Sequence, residues 1–245
     1  MKSHYTDLSN RAYNGNVYTF TEFLSLSEQE DLYSESKDFS PIPFSFDAGY
    51  LDGERKVCRF GDEDSLGYDQ EFPIKCICIE PRSKKFMTQV SHRDYLGALM
   101  NLGLERKCFG DIILQGTSAY IFVLERNAQF VIDELTSIGR NPVKCKLVEY
   151  KSDTITMDGK DMHLLVSSMR SDGIIAKTFN LSRKDAAALF FEKKIAVNGR
   201  LVENNDKQLN NGDIVSVRGF GKFKITDGGT LSRKGKINLD IVVYK

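Results

Sequence analysis

The stretch between residues 182 and 202 constrains the fold most, because a helix start is followed there by a tight turn. Ser182 precedes a run with apolar residues at helical spacing, and Asp185 stands three residues after it. A serine with an acidic residue three positions later is typical of the capping box that begins a helix. Asn198 and Gly199 then lie between two β-type runs, which is the strongest short-range signal for a β-hairpin. The stretch therefore predicts a helix followed directly by a hairpin.

Basic side chains lie at both ends of this predicted helix. Arg183 and Lys184 stand at its start, and Lys193 and Lys194 leave its other end. The start of a helix also exposes unpaired backbone N–H groups and a partial positive charge. A phosphate can therefore meet backbone donors and two cations at one point.

The charges of the whole chain are unevenly distributed, although the formal net charge of its 245 residues is zero. Residues 1–73 carry 6 basic and 15 acidic side chains, a net charge of −9. Residues 74–169 carry 13 and 11, a net charge of +2, and residues 170–245 carry 15 and 8, a net charge of +7. The net charge of zero is thus the sum of an acidic head, a nearly neutral middle and a basic tail. The basic tail suggests an anionic partner.

Composition and periodicity predict three α+β domains. Residues 1–73 form an acidic domain rich in aromatic residues. Residues 74–151 follow the order β-α-β-β-α-β, which is typical of a ferredoxin-like or RRM-like layer of sheet and helices. Residues 152–245 form the third domain, which contains the predicted helix and hairpin and ends in a further β-hairpin.

Two helices of the first two domains are predicted from local signals. A helix is expected over residues 21–33, with a capping box at Ser27 and Glu30. Another is expected over residues 127–138, with Phe130, Val131, Glu134 and Leu135 in register on one face.

Four short blocks within residues 169–219 follow the pattern of one RNA-binding module. The segment resembles an S4 domain, the small module of a ribosomal protein and of many RNA-modifying proteins. The S4 pattern is matched by Arg170 and Asp172, by Leu181 to Arg183 with Ala186, by Val197 to Gly199, and by Gly212, Asp213 and Val215. Ser171 stands where the family usually has leucine, which predicts looser packing of the first S4 helix.

The S4 resemblance implies a surface for structured RNA, with rRNA or tRNA favoured over single strands. Such a module recognises RNA by shape and phosphate geometry more than by base edges. Together with the lysines at the end of the predicted helix, the candidate RNA-binding residues are Arg170, Lys177, Ser182, Arg183, Lys184, Lys193, Lys194, Asn198, Gly199 and Arg200.

Most of the remaining chain resembles the YlmH family, bacterial proteins with an RRM-like middle domain and a C-terminal S4 domain. The resemblance rests on SHRDYLGALMNLGLERKCFGDIIL at 91–114, TEFLSLSEQE at 21–30 and DAGYLDGERKVCRFGDED at 47–64. It implies a non-enzymatic RNA-binding protein that associates with the large ribosomal subunit. It also implies kinship to S4 proteins that act on stalled large subunits carrying peptidyl-tRNA, and a genetic link to cell division.

Two alternatives stay open at this point. One is a protein-interaction adaptor that uses the acidic first domain, where Phe44, Phe46 and Tyr50 are either core residues, which is favoured, or a partner patch. The other is an RNA-modifying enzyme guided by an S4 domain.

No catalytic residue, metal ligand or cofactor site is nominated. The segment His92–Asp94 resembles a kinase catalytic loop, but the Gly-rich loop and the Mg²⁺-binding residues that kinases need are missing from the sequence. Cys76 and Cys78 lack the second pair of ligands that a structural zinc site requires. The protein is therefore expected to act without a cofactor.

The sequence also bears on where the protein works. It has no apolar run of 18 residues and no apolar core of a signal peptide near its start, so we expect a cytoplasmic protein without a membrane span. Its five cysteines are irregularly spaced and are expected to be free thiols in a reducing compartment.

Overall fold

A computed structural model describes residues 4–51, 53–83, 88, 90–149, 159–232 and 235–244. The chain forms two compact units, Met1–Met157 and Asp158–Lys245, called the N-terminal and C-terminal units below. The fold is α+β, as predicted. The residues on either side of position 73 lie within one compact unit, while the expected boundary near residue 152 falls outside the described residues. The division into three domains stays a prediction.

The first part of the N-terminal unit packs three helices around a small sheet. Its antiparallel strands have the order β1-β3-β2. The elements are α1 (His4–Gly15), β1 (Thr19–Phe20), α2 (Leu26–Glu35), a 3-10 helix (Ser36–Asp38), β2 (Phe44–Asp47), β3 (Val57–Phe60) and α3 (Glu63–Leu66).

The capping box of α2 differs from the predicted one. Ser25, not Ser27, is the N-cap, and its hydroxyl and backbone N–H both bond to Glu28. Residues 21–24 do not start the helix, because Leu24 pairs with Lys56 in a β-bridge. Ser25 with Glu28 and Ser27 with Glu30 both match the capping-box pattern. The bridge between Leu24 and Lys56 fixes the chain just before Ser25 and so selects Ser25 as the N-cap.

The second part of the N-terminal unit follows the predicted β-α-β-β-α-β order, with one additional two-residue strand. Its antiparallel sheet has the strand order β5-β6-β4-β8-β7. The elements are β4 (Ile74–Pro81), α4 (His92–Met100), a 3-10 helix (Arg106–Cys108), β5 (Phe109–Gln115), β6 (Ser118–Leu124), α5 (Glu125–Glu134), β7 (Ser137–Ile138) and β8 (Asn141–Val148).

The helix α5 is shorter than predicted, and one of the residues expected on its apolar face is exposed. It ends at Glu134, and Ile138 lies in the extra strand β7, paired with Asn141. Val131 and Leu135 are buried as expected, whereas Phe130 is 43% exposed. The prediction for Phe130 is therefore wrong.

The C-terminal unit packs two helices against a six-stranded antiparallel sheet of order β11-β10-β12-β13-β14-β9. Its core is one apolar cluster that includes Ile174, Phe190, Val215 and Phe223, all fully buried. The elements are β9 (Gly159–Val166), α6 (Ser171–Thr178), α7 (Arg183–Phe191), β10 (Ile195–Val197), β11 (Arg200–Leu201), β12 (Ile214–Val217), β13 (Gly221–Leu231) and β14 (Ile237–Tyr244). The predicted helix, the Asn-Gly hairpin and the final hairpin are all present.

Candidate nucleic-acid interface

The helix α7 begins where the sequence predicts. Ser182 is its N-cap, in an extended conformation, and its hydroxyl accepts a hydrogen bond from the backbone N–H of Asp185 at 3.1 Å. The same hydroxyl donates to the Asp185 carboxylate at 2.6 Å. The Ser182 side chain therefore serves the helix itself, and the other N–H groups of the first turn remain as donors for an external anion.

Arg183 and Lys184 are exposed in the first turn of α7. Neither has a hydrogen bond or an ion pair with any residue that the structure describes. A Cβ atom placed on Gly173 would lie 3.5 Å from a terminal nitrogen of Arg183, so this guanidinium reaches the first turn of the neighbouring helix α6. Two helix starts and two unpaired cations thus lie close together.

Arg170 stands at the start of α6 and is held by a neighbour in the chain. Its guanidinium donates two hydrogen bonds of 3.1 Å to the two oxygens of Asp172, a bidentate pair. The backbone N–H of Gly173 also bonds to Asp172, at 2.8 Å. Burial alone would raise the pKa of Asp172, but the bonds from Arg170 and Gly173 outweigh it and lower that pKa.

The expectation of loose packing at Ser171 is wrong. Its side chain is fully buried, and its hydroxyl donates to the backbone carbonyl of Asn205 at 3.1 Å. The backbone N–H of Ser171 bonds to the carbonyl of Lys207, at 2.9 Å. A serine replaces leucine at this position without leaving an unsatisfied polar group, because the loop before β12 supplies the acceptor.

The remaining candidate lysines have partners within the C-terminal unit. Lys177 donates to the backbone carbonyl of Leu165. Lys193 pairs with Glu203 and Lys194 pairs with Glu192, both at the exposed surface. Exposed ion pairs contribute about 0–1 kcal/mol each, so an incoming phosphate can replace the carboxylates at little cost.

The turn between β10 and β11 has the geometry that Asn-Gly predicts. Asn198 and Gly199 have φ angles of 52° and 78°, as a type I′ turn requires. The Asn198 amide donates to Asp213 at 2.8 Å and accepts from the N–H of Ile214 at 2.9 Å. The adjacent Arg200 side chain is exposed and takes part in an interaction of its own. The turn is therefore held rigidly.

Nine of the ten predicted residues fall into three groups in the structure, and the tenth, Lys177, lies apart from them in the last turn of α6. Arg170, Ser182, Arg183 and Lys184 lie around the two helix starts, Lys193 and Lys194 lie at the end of α7, and the Asn-Gly turn lies at the far end of β10. About 13 Å separates the two ends of a nine-residue helix such as α7. The residues that organise these groups, Asp172 and Asp213, were matched to the S4 pattern but given no role from the sequence.

The sheet of the N-terminal unit has no free aromatic face. One face packs on α4 and α5 through a cluster that includes Ile77 and Ile121. On the other face, Cys76, Ile113, Phe122 and Leu124 are buried beneath residues from the first part of the unit, chiefly Phe23, Tyr50 and Val57, which we call the N-terminal cover. Tyr50 stacks on Phe122, with ring centroids 4.7 Å apart. In this arrangement Phe122 cannot stack on a nucleobase.

The structure also bears on metal ions and membranes. Within the described ranges, no three His, Cys, Asp or Glu side chains lie close enough together to hold a metal ion. None of the described helices is long and apolar enough to cross a membrane.

These features define an α+β protein whose C-terminal unit brings exposed cations and two helix starts together on one surface. A family model described as "Putative RNA-binding domain in YlmH" matches residues 68–152. A Bacillus subtilis (strain 168) protein named ribosome-associated protein quality control protein P2 is 29% identical over 223 residues, which cover 90% of this chain and 86% of that protein. The solved structure of the cell division protein YlmH from Streptococcus pneumoniae is 21% identical, with a TM-score of 0.48, and the match covers 62% of this chain and 90% of that one. The family model and the B. subtilis relative both agree with the resemblance to the YlmH family that the sequence motifs indicate.

Proposed function

We propose that this protein binds RNA on the ribosome and that its C-terminal unit is an S4 module that holds structured rRNA or tRNA of the large subunit. The family model over residues 68–152 and the ribosome-associated relative support RNA binding and ribosome association. The finer proposal is a non-enzymatic role in the cytoplasm, in the quality control of stalled ribosomes. The name of the pneumococcal structure supports a link to cell division.

The observation that carries the proposal is the cluster at the starts of α6 and α7. Arg183 and Lys184 have no ion-pair partner among the described residues, and Arg183 reaches Gly173 at the neighbouring helix start. Cations and helix N–H groups that converge in this way suit the phosphates of a folded backbone. The rigid Asn198-Gly199 turn adds a fixed protrusion of the kind that fits a groove by shape.

The test is the salt dependence of RNA binding by the full chain. Each lost phosphate contact lowers the slope of log K against log salt by about 0.7–0.9. We expect Arg183→Ala with Lys184→Ala to weaken binding to large-subunit rRNA and to reduce the slope by the equivalent of one or two contacts. The matched control is Lys160→Ala with Lys236→Ala, which removes the same charge from two exposed positions of the same unit, one in β9 and one just before β14.

Two results would contradict the proposal. An Arg183/Lys184 variant with the slope of the control variant would remove these residues from the interface. Crosslinks in cells that spread over mRNA, rather than concentrating on rRNA or tRNA, would refute the proposed ligand.

A protein partner for the first part of the N-terminal unit is a second proposal. It is favoured by acidic side chains on that surface, including Asp31, Glu63 and Asp64, which are all exposed. Phe44 and Phe46 pack against the core instead and are not a free patch. A partner that stays bound to the protein after RNase treatment would support an adaptor role, whereas loss of every partner would favour RNA as the bridge.

A further inference from the structure

The helix α7 ends on an aromatic side chain that faces away from the core. Phe190 is fully buried, whereas the next residue, Phe191, is 78% exposed. No other large hydrophobic side chain within the described ranges is as exposed as Phe191. Its ring makes no aromatic or cation contact among those residues either.

This exposure has no structural benefit to the isolated protein. Burying a phenylalanine side chain is favourable by about 1.5–3 kcal/mol, and Phe191 forgoes that gain. Phenylalanine is also a weaker helix former than the lysine, arginine or glutamate that surface helix positions commonly carry. The position therefore suits an aromatic ring that is covered only when a partner binds.

The chain around Phe191 carries exchangeable cations. Lys193 and Lys194 form surface ion pairs with Glu203 and Glu192, so these four charges are neutral overall. The backbone N–H of Arg218 donates to the carbonyl of Lys194 at 2.9 Å, which brings the turn after β12 to the end of α7. The Arg218 side chain is exposed, and no described residue pairs with it. An exposed ring with an unpaired arginine and two weakly paired lysines is a combination that binds a nucleotide through its base and its phosphates.

We propose that Phe191 stacks on an unpaired nucleobase of the bound RNA, while Arg218 and the two lysines contact its phosphates. This inference rests on the proposed function and names a contact outside the cluster at the helix starts. The C-terminal end of α7 would then recognise a loop or bulge of the RNA, because only a base that is not stacked in a duplex exposes its ring to Phe191. The surface ion pairs at Lys193 and Lys194 are weak enough to be exchanged for phosphate contacts.

The first test compares three variants of the full chain in binding to an RNA hairpin with an unpaired loop. Stacking on one base corresponds to about a 5- to 150-fold change in Kd. We expect a loss of this size for Phe191→Ala, near wild-type binding for Phe191→Tyr, and an intermediate loss for Phe191→Leu, which keeps apolar area but not a ring. The salt slope should stay unchanged, because a stacked ring releases no counterions.

The second test uses the fact that the chain contains no tryptophan. Phe191→Trp introduces the one tryptophan of the chain at the proposed stacking position, and its emission can be excited apart from that of the tyrosines. We expect this emission to be quenched when the looped hairpin is added and to change little with a fully paired RNA duplex. Tyr13→Trp, at an exposed position of α1 outside residues 68–152, is the matched control and should respond to neither RNA.

The outcomes separate this inference from the proposed function. If Phe191→Ala binds the looped hairpin as the wild type does, while the Arg183/Lys184 variant loses affinity, the stacking role is wrong and the RNA-binding role stands. If the wild type binds no RNA, both fail. If Phe191→Ala abolishes a concentration-dependent dimer in sedimentation and leaves RNA binding intact, the ring belongs to an interface between copies, which also overturns the inference.

Discussion

At the scale of single residues, Asp172 shows how a charged side chain can serve the fold beneath a binding surface. It is 6% exposed and accepts hydrogen bonds from Arg170 and from the N–H of Gly173. The bonds keep the carboxylate charged and fix the start of α6. The S4 resemblance assigns Arg170 to RNA binding. Its side chain is partly exposed and also pairs with Asp172, so it has a structural role as well.

Replacing Asp172 with asparagine should destabilise the C-terminal unit. Hydrogen bonds to a charged group contribute about 1.5–3 kcal/mol each, so we expect a loss of roughly 1–3 kcal/mol in the free energy of unfolding at pH 7. The pKa of Asp172 is lowered in the folded state. Its contribution is therefore present above the unfolded pKa of about 3.9 and is lost as the pH falls through the folded pKa below it. Denaturant unfolding at several pH values measures this.

The control for Asp172 is Asp227→Asn, at an exposed position in β13. Its stability should follow the wild type at every pH. A stability gap between Asp172→Asn and the wild type that does not begin to shrink as the pH falls below about 3.9 would show that the carboxylate charge is not the cause.

At the scale of elements, the N-terminal cover explains why the first and second parts of the N-terminal unit form one body. Phe23 is fully buried against the sheet, and its backbone carbonyl accepts a hydrogen bond from Arg55 at 2.8 Å. Asp111, on β5, accepts from the Tyr50 hydroxyl at 2.9 Å and from the N–H of Glu54 at 2.6 Å. Gly110 leaves the space that the Phe23 ring fills, because an added Cβ would lie 2.7 Å from it.

Removing the Phe23 ring should uncover a buried thiol. Burial raises the pKa of Cys76 to about 12, so this cysteine should resist alkylation at neutral pH in the folded protein. We expect Phe23→Ala to lose about 3–5 kcal/mol of stability and to speed the alkylation of Cys76, as measured by mass spectrometry. Phe130→Ala, at an exposed site, should change neither quantity. Unchanged labelling of Cys76 in Phe23→Ala would argue against the cover.

The elements also show which sequence signals are reliable. The N-cap of α7 and the Asn-Gly hairpin are confirmed, because each depends on residues within a few positions of one another. The predicted start of α2 and end of α5 are wrong. A bridge between Leu24 and the distant Lys56 decides the first boundary, and a short hairpin that pairs Ile138 with Asn141 decides the second.

At the scale of the whole molecule, the acidic head and basic tail suggest that residues 1–73 limit non-specific RNA binding. Deletion of these residues would not test the idea cleanly. It would also expose the apolar sheet face around Phe122 and Cys76, which favours aggregation.

Neutralising exposed acids is the cleaner experiment. We expect Asp31→Asn, Glu63→Gln and Asp64→Asn together to tighten the binding of unrelated RNA at low salt by a few-fold, since three like charges are removed. The effect should fade at high salt, where the Debye length falls to about 3 Å. Equal affinity of the variant and the wild type in a low-salt filter-binding assay would remove this role of the acidic head.

The sequence by itself determined the features that depend on neighbouring residues. These are the Ser182 cap, the Asn198-Gly199 turn, the α+β order of elements and the cations of the C-terminal unit. Only the tertiary structure decided which of these residues meet. It placed Arg183 beside Gly173, buried Ser171 against Asn205, and left Phe191 exposed. Local signals act through hydrogen bonds and turns a few residues long, whereas these contacts depend on how distant segments close around a common core.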